Sequence, residues 1–189
     1  AARVTAVVPY FGYGRQDRKD QPRVAIGAKL AANLIVAAGA DRVVSIDFHQ
    51  HQIQGFFDIP VDHLYAAPVL TKYFRDLELE DLVVVAPDVG SAKMARGFAK
   101  RLGAGFAIID KRRPMANVAE VLNVVGEVEG RTCLLADDMV DTAGTLASAI
   151  RALHERGAGR IFACATHALF SGAAVERLSE APMEGMVVT

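Results

Sequence analysis

Short apolar runs alternate along this chain with polar loops and with segments whose apolar residues recur at helical spacing. The apolar runs predict β-strands at 4–9, 42–47, 82–87, 105–110, 120–125, 131–137 and 160–166. The helical spacing predicts helices at 26–38, 68–75, 91–102, 145–155 and 172–179. The first strand, VTAVVP, is apolar throughout, as expected of a strand buried on both faces. The polar stretch that ends at Asp62 is expected to be irregular.

This alternation of strands and helices predicts an α/β fold with mostly parallel sheets flanked by helices. The pattern restarts after Tyr65, which predicts two similar domains, at 1–66 and 67–189. The chain begins directly on one strand and stops near the start of another, so we expect both domains to be incomplete. In such sheets ligands bind beyond the carboxyl ends of the strands, where four polar stretches of this sequence lie.

Composition narrows the functional classes. The chain has 189 residues, 52% hydrophobic and 23% charged, as in globular proteins. A formal net charge of -1 gives no general attraction to nucleic acid or to anionic membranes, so we expect neither as a partner. Cys133 and Cys164 lie in apolar runs, which favours buried thiols over a disulfide. No apolar run approaches the ~18 residues of a spanning helix, and we expect a cytoplasmic protein.

The strongest chemical signal is LLADDMVDTAGT, residues 134–145. A buried strand there delivers two adjacent carboxylates, Asp137 and Asp138, which suit the vicinal hydroxyls of a sugar. Small residues then begin a helix, whose first N–H groups form a cradle for a phosphate. The residues assigned to the cradle are Asp141, Thr142, Ala143, Gly144 and Thr145. A simple helix cap is the alternative, but it would not explain the acid pair.

Two stretches of the first domain combine polar side chains with aromatic and small residues. YFGYGRQDRKD (10–20) surrounds Arg15 and Gln16 with basic residues, which suits a polyphosphate, although a solvated loop has a similar composition. DFHQHQIQGFFDIPVD (47–62) places Asp47 and His49 at a strand end, which suits Mg²⁺ or metal-bound phosphates. A structural role for the histidine is the alternative there.

Two stretches of the second domain follow predicted strands. Asp88 precedes Gly90 and a helix, a suitable place for a carboxylate that binds a metal. Lys111, Arg112 and Arg113 are three adjacent cations, which repel one another unless an anion or solvent relieves them. On composition alone, a solvated loop is an equally good interpretation of these three cations.

In order and spacing, these stretches resemble the class I ribose-phosphate pyrophosphokinases over essentially the whole chain. DFHQHQIQGFFDIPVD resembles the signature of that family, YFGYGRQDRKD its ATP loop, and DKRRP with the following N-x-x-E-V its catalytic loop. DDMVDTAGT resembles the phosphoribosyl-binding motif that synthases share with the type I phosphoribosyltransferases. The resemblance implies two type I phosphoribosyltransferase-like domains, ATP-side at 1–66 and ribose-5-phosphate-binding at 67–189.

The same resemblance implies an Mg²⁺-dependent enzyme. Its reaction transfers the pyrophosphoryl group of ATP to the anomeric hydroxyl of ribose 5-phosphate, giving 5-phosphoribosyl 1-pyrophosphate and AMP. It implies Arg15 and Gln16 at ATP, and Lys111 and Arg113 in catalysis. His49, Asp88 and, with less support, Asp47 are implied at the metal. Ribose 5-phosphate would be bound by Arg113, Asp137, Asp138, Asp141, Thr142, Ala143, Gly144 and Thr145. Hexameric self-association is implied too.

Some residues depart from the family pattern, notably Phe48, Gly27 and Ser91, which stands at a position of a second glycine after Asp88. Two other functions share part of this pattern. A phosphoribosyltransferase would share 134–145 but would not explain RQDRKD or the 47–62 signature. A non-catalytic regulatory relative is opposed by the intact Lys111 and Arg113, and by both acids of the pair.

Overall fold

The computed structural model describes residues 2–112 and 121–189. The chain forms two compact units, residues 1–66 and 67–189. Both are α/β structures with mostly parallel sheets, which confirms the fold class that the alternating pattern predicts. Among the described residues, no helix combines the length and apolar character needed to cross a membrane.

The first unit is a three-stranded parallel sheet of strand order β1-β2-β3. Its elements are β1 (Thr5–Val8), α1 (Gly27–Ala37), β2 (Arg42–Ile46) and β3 (Val61–Leu64), with 3-10 turns at Gly14–Gln16 and His51–Phe56. The ring of Phe11 meets those of Phe48 and Phe57 edge to face, with centroids 5.7 and 6.0 Å apart. All three rings are buried in one core, so that core joins the 10–20 loop to the 47–62 stretch.

Two expectations for this unit are wrong. β1 is not buried on both faces, because it is an edge strand and Val7 is 67% exposed. An apolar run shows that a strand can be buried, but not how many neighbours flank it. The 47–62 stretch is not irregular to its end, because β3 starts at Val61 and pairs with β2. The guanidinium of Arg42 binds both carboxylate oxygens of Asp62, at 2.5 and 2.7 Å, and so ties the two strands together.

The second unit is a six-stranded sheet of order β6-β5-β4-β7-β8-β9, parallel except for the antiparallel pair β5–β6. Its strands are β4 (Leu82–Ala86), β5 (Gly105–Arg112), β6 (Val121–Val125), β7 (Thr132–Val140), β8 (Arg160–Ala168) and β9 (Gly185–Val188). Its helices are α2 (Ala67–Asp76), α3 (Ala92–Leu102), α4 (Gly144–Glu155) and α5 (Ala174–Ser179).

Helices cover both faces of this second sheet. Val83 and Val85 of β4 belong to one core cluster with Ile150 of α4. Val84, between them, is equally buried and faces the other side of the sheet, because side chains alternate along a strand. Helix α3 packs against β4, β5 and β7. The valine-rich strands are therefore buried on two sides, as their continuous apolar run predicts.

Strand β7 is longer than predicted. It continues to Val140 because Met139 and Val140 are buried and pair with His167 and Ala168 of β8. Asp137 and Asp138 therefore lie within the last part of the strand and not at its end. The two acids interrupt the apolar pattern of the sequence, but the hydrogen-bonded pairing of β7 with β8 continues past them. The apolar pattern alone cannot predict that continuation.

Candidate active site

The acid pair Asp137 and Asp138 is half-buried near the carboxyl end of β7. The backbone N–H of Asp138 donates a hydrogen bond to Oδ1 of Asp137 at 2.9 Å. Burial raises the pKa of Asp137 well above its ordinary value, and the charges of Asp138 and Asp88 raise it further. The site thus concentrates negative charge that hydroxyl protons or a cation would relieve.

Residues 141–145 form the turn from β7 into α4, the predicted phosphate cradle. Ala143 precedes the helix in the left-handed conformation, with φ of 59°, and its methyl group cannot cap α4. A left-handed residue other than glycine costs roughly 1–2 kcal/mol, and such strain occurs often at ligand sites. A Cβ added at Gly144 would meet nothing nearer than Thr142 Oγ1 at 3.9 Å, so the start of the helix is open. The backbone N–H groups at a helix N-terminus suit an anion.

Asp88 follows β4, the strand next to β7 in the sheet, so it lies near the acid pair. Its orientation is fixed by Ser91, which is buried. The Ser91 N–H donates to Oδ1 of Asp88 at 3.0 Å. The Ser91 hydroxyl lies 3.0 Å from the Asp88 carbonyl oxygen and 3.2 Å from Oδ1. The serine that departs from the family glycine is therefore a contact of a predicted metal ligand.

Arg15 and Gln16 lie in the 3-10 turn Gly14–Gln16, which packs on the 47–62 stretch. Gly14 is buried, and a Cβ there would come within 3.1 Å of the His49 Cβ. A glycine at 14 therefore lets the predicted ATP loop approach His49 closely. The first unit thus brings together the two stretches that the sequence assigns to ATP and its metal.

Asp47 directly follows β2 and adopts a left-handed conformation, with φ of 42°. Its Oδ2 accepts a hydrogen bond from the Ala66 N–H at 3.0 Å, and its own N–H donates to the Leu64 carbonyl at 2.9 Å. Asp47 therefore fixes the end of β3. This contact gives Asp47 a structural role, and its predicted place at the metal stays a prediction.

His63 belongs to a group of contacting rings that includes Phe48, His51 and Tyr65. Its ring centroid lies 4.9 Å from that of Phe48 and 4.5 Å from that of Tyr65. The Phe48 N–H donates to Nε2 of His63 at 3.1 Å, which requires an unprotonated Nε2. Burial lowers the pKa of His63, and the nearby His51 lowers it further. Phe48, a departure from the family pattern, thus packs in this group of rings.

The predicted catalytic loop is described only at its start. Lys111 lies in β5, where its backbone pairs with Leu122 of β6. Arg113 lies outside the described residues. The roles assigned to both residues stay predictions.

No three His, Cys, Asp or Glu side chains among the described residues are grouped as a ready metal site. Mg²⁺ commonly takes only one or two protein carboxylates and completes its shell with water and substrate phosphates. Asp88 and Asp137 supply oxygen donors whose charges already act on each other. These residues fit a hard divalent cation that arrives with a phosphorylated substrate.

The carbonyl groups that lead into the phosphate turn accept hydrogen bonds from residues 169–177, which the sequence did not predict. The N–H groups of Leu169 and Phe170 donate to the Val140 carbonyl at 2.9 and 3.1 Å. The Ser171 N–H donates to the Asp141 carbonyl at 2.9 Å, and Arg177 Nη1 donates to the Thr142 carbonyl at 2.7 Å. No local pattern signals these partners, because they lie about thirty residues further along the chain.

Comparison with family models gives two matches. The model described as the phosphoribosyl transferase domain matches residues 66–181. The model described as the N-terminal domain of ribose phosphate pyrophosphokinase matches residues 1–39.

Individual relatives agree with those models. The chain is 58% identical to the ribose-phosphate pyrophosphokinase of Chromobacterium violaceum, over all of this chain and 58% of that protein. It is also 58% identical to that of Caldanaerobacter subterraneus subsp. tengcongensis, over all of this chain and 60% of the other. The crystal structure of phosphoribosylpyrophosphate synthetase from Mycobacterium smegmatis superposes with a TM-score of 0.93 at 44% identity, over all of this chain and 61% of that one. The chain therefore spans about three fifths of the length of these relatives.

Proposed function

We propose that this chain, which belongs to the phosphoribosyl transferase domain family, is part of a ribose-phosphate pyrophosphokinase, and that the full-length protein makes 5-phosphoribosyl 1-pyrophosphate. The proposed reaction transfers the β,γ-pyrophosphoryl group of ATP to the anomeric hydroxyl of ribose 5-phosphate and releases AMP.

The observation that carries this proposal is the turn at 141–145 beside the acid pair. A half-buried pair of carboxylates near the end of β7 and the helix N-terminus that follows it fit the hydroxyls and the phosphate of one ligand. That ligand chemistry is a 5-phosphorylated ribose. The match of residues 1–39 to the pyrophosphokinase N-terminal domain supports ATP as the second substrate, in preference to a base.

Each group has a role in this reaction. Asp137 and Asp138 accept hydrogen bonds from the ribose hydroxyls, and the 141–145 turn donates N–H groups to the 5-phosphate. Arg15 and Gln16 bind ATP. Lys111 and Arg113 place positive charge at the transferred group, and Arg113 also contacts the sugar phosphate. In phosphoryl-type transfer the protein chiefly aligns the reactants and neutralises their charge, so these roles are sufficient.

Mg²⁺ is part of the proposal. The resemblance assigns Asp88, His49 and, secondarily, Asp47 to Mg²⁺, and we keep each of these assignments as a proposal. Bound Mg²⁺ would supply charge neutralisation at the phosphates of ATP. Asp88 is suited to this role because Ser91 already holds one of its carboxylate oxygens in place.

The test is AMP release by the full-length protein from ATP labelled at the β-phosphate, with and without ribose 5-phosphate. We expect AMP only when the sugar phosphate is present, with the label recovered in phosphoribosyl pyrophosphate. ADP as the nucleotide product would contradict the proposal. No AMP, with ribose 5-phosphate still bound, would point to a regulatory relative, and turnover of phosphoribosyl pyrophosphate with a base would point to a phosphoribosyltransferase.

Assembly and location complete the proposal. We expect the full-length protein to be hexameric and cytoplasmic, with no nucleic-acid or membrane partner. Leu30 and Leu34 of α1 are 55% and 60% exposed in this unit, which supports burial against further protein. Light scattering of the full-length protein would measure its subunit count.

A further inference from the structure

Three consecutive carbonyl groups, at the end of β7 and the start of the 141–145 turn, accept hydrogen bonds from a later part of the chain. The Val140 and Asp141 carbonyls accept from the backbone of residues 169–171. The Thr142 carbonyl accepts from Nη1 of Arg177, on α5, at 2.7 Å. We name residues 169–171 and Arg177 together the carbonyl clasp.

The clasp determines where the N–H groups of the turn point. The peptide bonds of the described residues are trans, and in a planar trans peptide the carbonyl and the following N–H point in opposite directions. Fixing the carbonyls of Val140, Asp141 and Thr142 therefore turns the N–H groups of the next three residues away from the clasp. The Thr142–Ala143 peptide therefore has its N–H on the side opposite to Arg177.

Arg177 differs from the rest of the clasp because its contact comes from a side chain. The other contacts are between backbone groups, and they depend on the left-handed Phe170, whose φ is 48°. α5 is anchored by Ala174 and Leu178, both buried in the core that also contains α4. Arg177 therefore extends from a fixed helix to one carbonyl, and a substitution can remove that single contact.

The hydrogen bond from Arg177 is accepted by the peptide group next to the strained residue of the turn. Thr142 and Ala143 share this peptide group, and Ala143 is the strained left-handed residue before α4. If this peptide rotated to relieve the strain, the Thr142 carbonyl oxygen would turn toward the phosphate side and repel an anion. A hydrogen bond from a guanidinium is stronger than a neutral one, so Arg177 opposes that rotation.

We propose that Arg177 is a positioning residue for the ribose 5-phosphate site, which holds the Thr142–Ala143 peptide with its N–H toward the 5-phosphate. This inference rests on the proposed function for the identity of the ligand. A purely structural role would be different: Arg177 would then only attach α5 to the turn, and its loss would lower stability without a selective effect on one substrate.

The experiment compares Arg177→Ala, Arg177→Lys and the control Arg151→Ala in the full-length protein. Arg151 is an exposed arginine on α4, outside the clasp. Calorimetry gives the Kd of ribose 5-phosphate, and kinetics give KM for each substrate and kcat. For Arg177→Ala we expect Kd and KM for ribose 5-phosphate to rise on the order of tenfold, with kcat and KM for ATP changed less than about twofold. Arg177→Lys should recover most of the affinity, and Arg151→Ala should match the wild type.

Unchanged affinity for ribose 5-phosphate in Arg177→Ala would overturn the assignment. So would an equal loss of affinity for ATP, because it would indicate general destabilisation. Binding is measured apart from turnover, so the two proposals can fail separately. A wild-type protein that binds ribose 5-phosphate without forming AMP would remove the proposed reaction, while the ratio of Kd values would still decide the role of Arg177.

Discussion

The carboxyl group of Asp137 lies where its charged form is disfavoured. Its folded-state pKa is raised by burial and by its acidic neighbours, above an ordinary value of 3.8. Such a group leaves stability unaffected below the unfolded-state pKa, where both states are protonated. Stability is then lost as the pH rises toward the folded-state pKa, because the unfolded chain ionises more easily.

Asp137→Asn should therefore stabilise the full-length protein at pH 8 and weaken its ligand binding. We expect a gain of about 1 kcal/mol at pH 8 that shrinks toward zero near pH 4, measured by denaturant unfolding across that range. Affinity for ribose 5-phosphate should fall on the order of tenfold, because a charge-assisted hydrogen bond is lost. Glu155→Gln, an exposed position on α4, is the control. A stability difference that grew as the pH fell would contradict this account.

Ser91 is the second residue for which the structure gives a specific expectation. Its hydroxyl is buried and bonded to Asp88, so Ser91→Ala should lower the free energy of unfolding by about 1 kcal/mol. Ser179→Ala removes an exposed hydroxyl that bonds only within α5, and should change stability by less than about 0.5 kcal/mol. Equal effects of the two substitutions would show that the Asp88 contact has no special weight.

Some contacts of the site residues cannot be predicted from the local sequence. The motif 134–145 indicates a phosphate cradle because its small residues and its acids are consecutive. The supports of that cradle are not consecutive with it: Arg177 lies 35 positions beyond Thr142. In the sequence, Ser91 is only a departure from a glycine. Its contacts with Asp88 depend on how the backbone turns between residues 88 and 91.

Among the elements, the apolar pattern predicted each α-helix of the described residues to within a few residues, because each has one buried face. It missed β3, a four-residue strand that contains Asp62 and His63. The ion pair with Arg42 neutralises the charge of Asp62 in that strand. Arg42 and Asp62 are twenty residues apart, so the local pattern does not reveal the pair. The pattern also ended β7 at Asp137, although pairing with the neighbouring β8 continues the strand to Val140.

The start of α1 gives a prediction at this scale. A Cβ added at Gly27 would overlap Oε1 of Gln16, so any side chain at 27 must displace the Gln16 carboxamide. If Gln16 binds ATP as proposed, Gly27→Ala should raise KM for ATP about fivefold and leave KM for ribose 5-phosphate unchanged. Kinetics of the full-length protein would measure both values.

Gly97 on α3 is the matched control, since a Cβ there meets nothing within 4 Å. Gly97→Ala should raise stability by roughly 0.5–1 kcal/mol through helix propensity alone, with both KM values unchanged. If Gly27→Ala behaved like Gly97→Ala, the place of Gln16 in ATP binding would have to be abandoned.

At the scale of the whole molecule, the two units carry different parts of the proposed chemistry. The 3-10 turn with Arg15 and Gln16 and the stretch with His49 belong to residues 1–66. The acid pair, Asp88 and the cradle belong to residues 67–189. If this assignment is right, each substrate should leave its own footprint on the backbone.

Hydrogen exchange on the full-length protein can separate these footprints. Ribose 5-phosphate should slow exchange of the 141–146 amides on the order of tenfold, because those N–H groups would donate to the phosphate. An ATP analogue with a methylene between the α- and β-phosphates, which cannot transfer pyrophosphate, should slow exchange in 10–20 instead. The buried strand segment 161–165 serves as the internal reference, since its amides are already held in the β7–β8–β9 ladder. Protection of 10–20 by ribose 5-phosphate alone would refute the assignment of the two substrates to separate units.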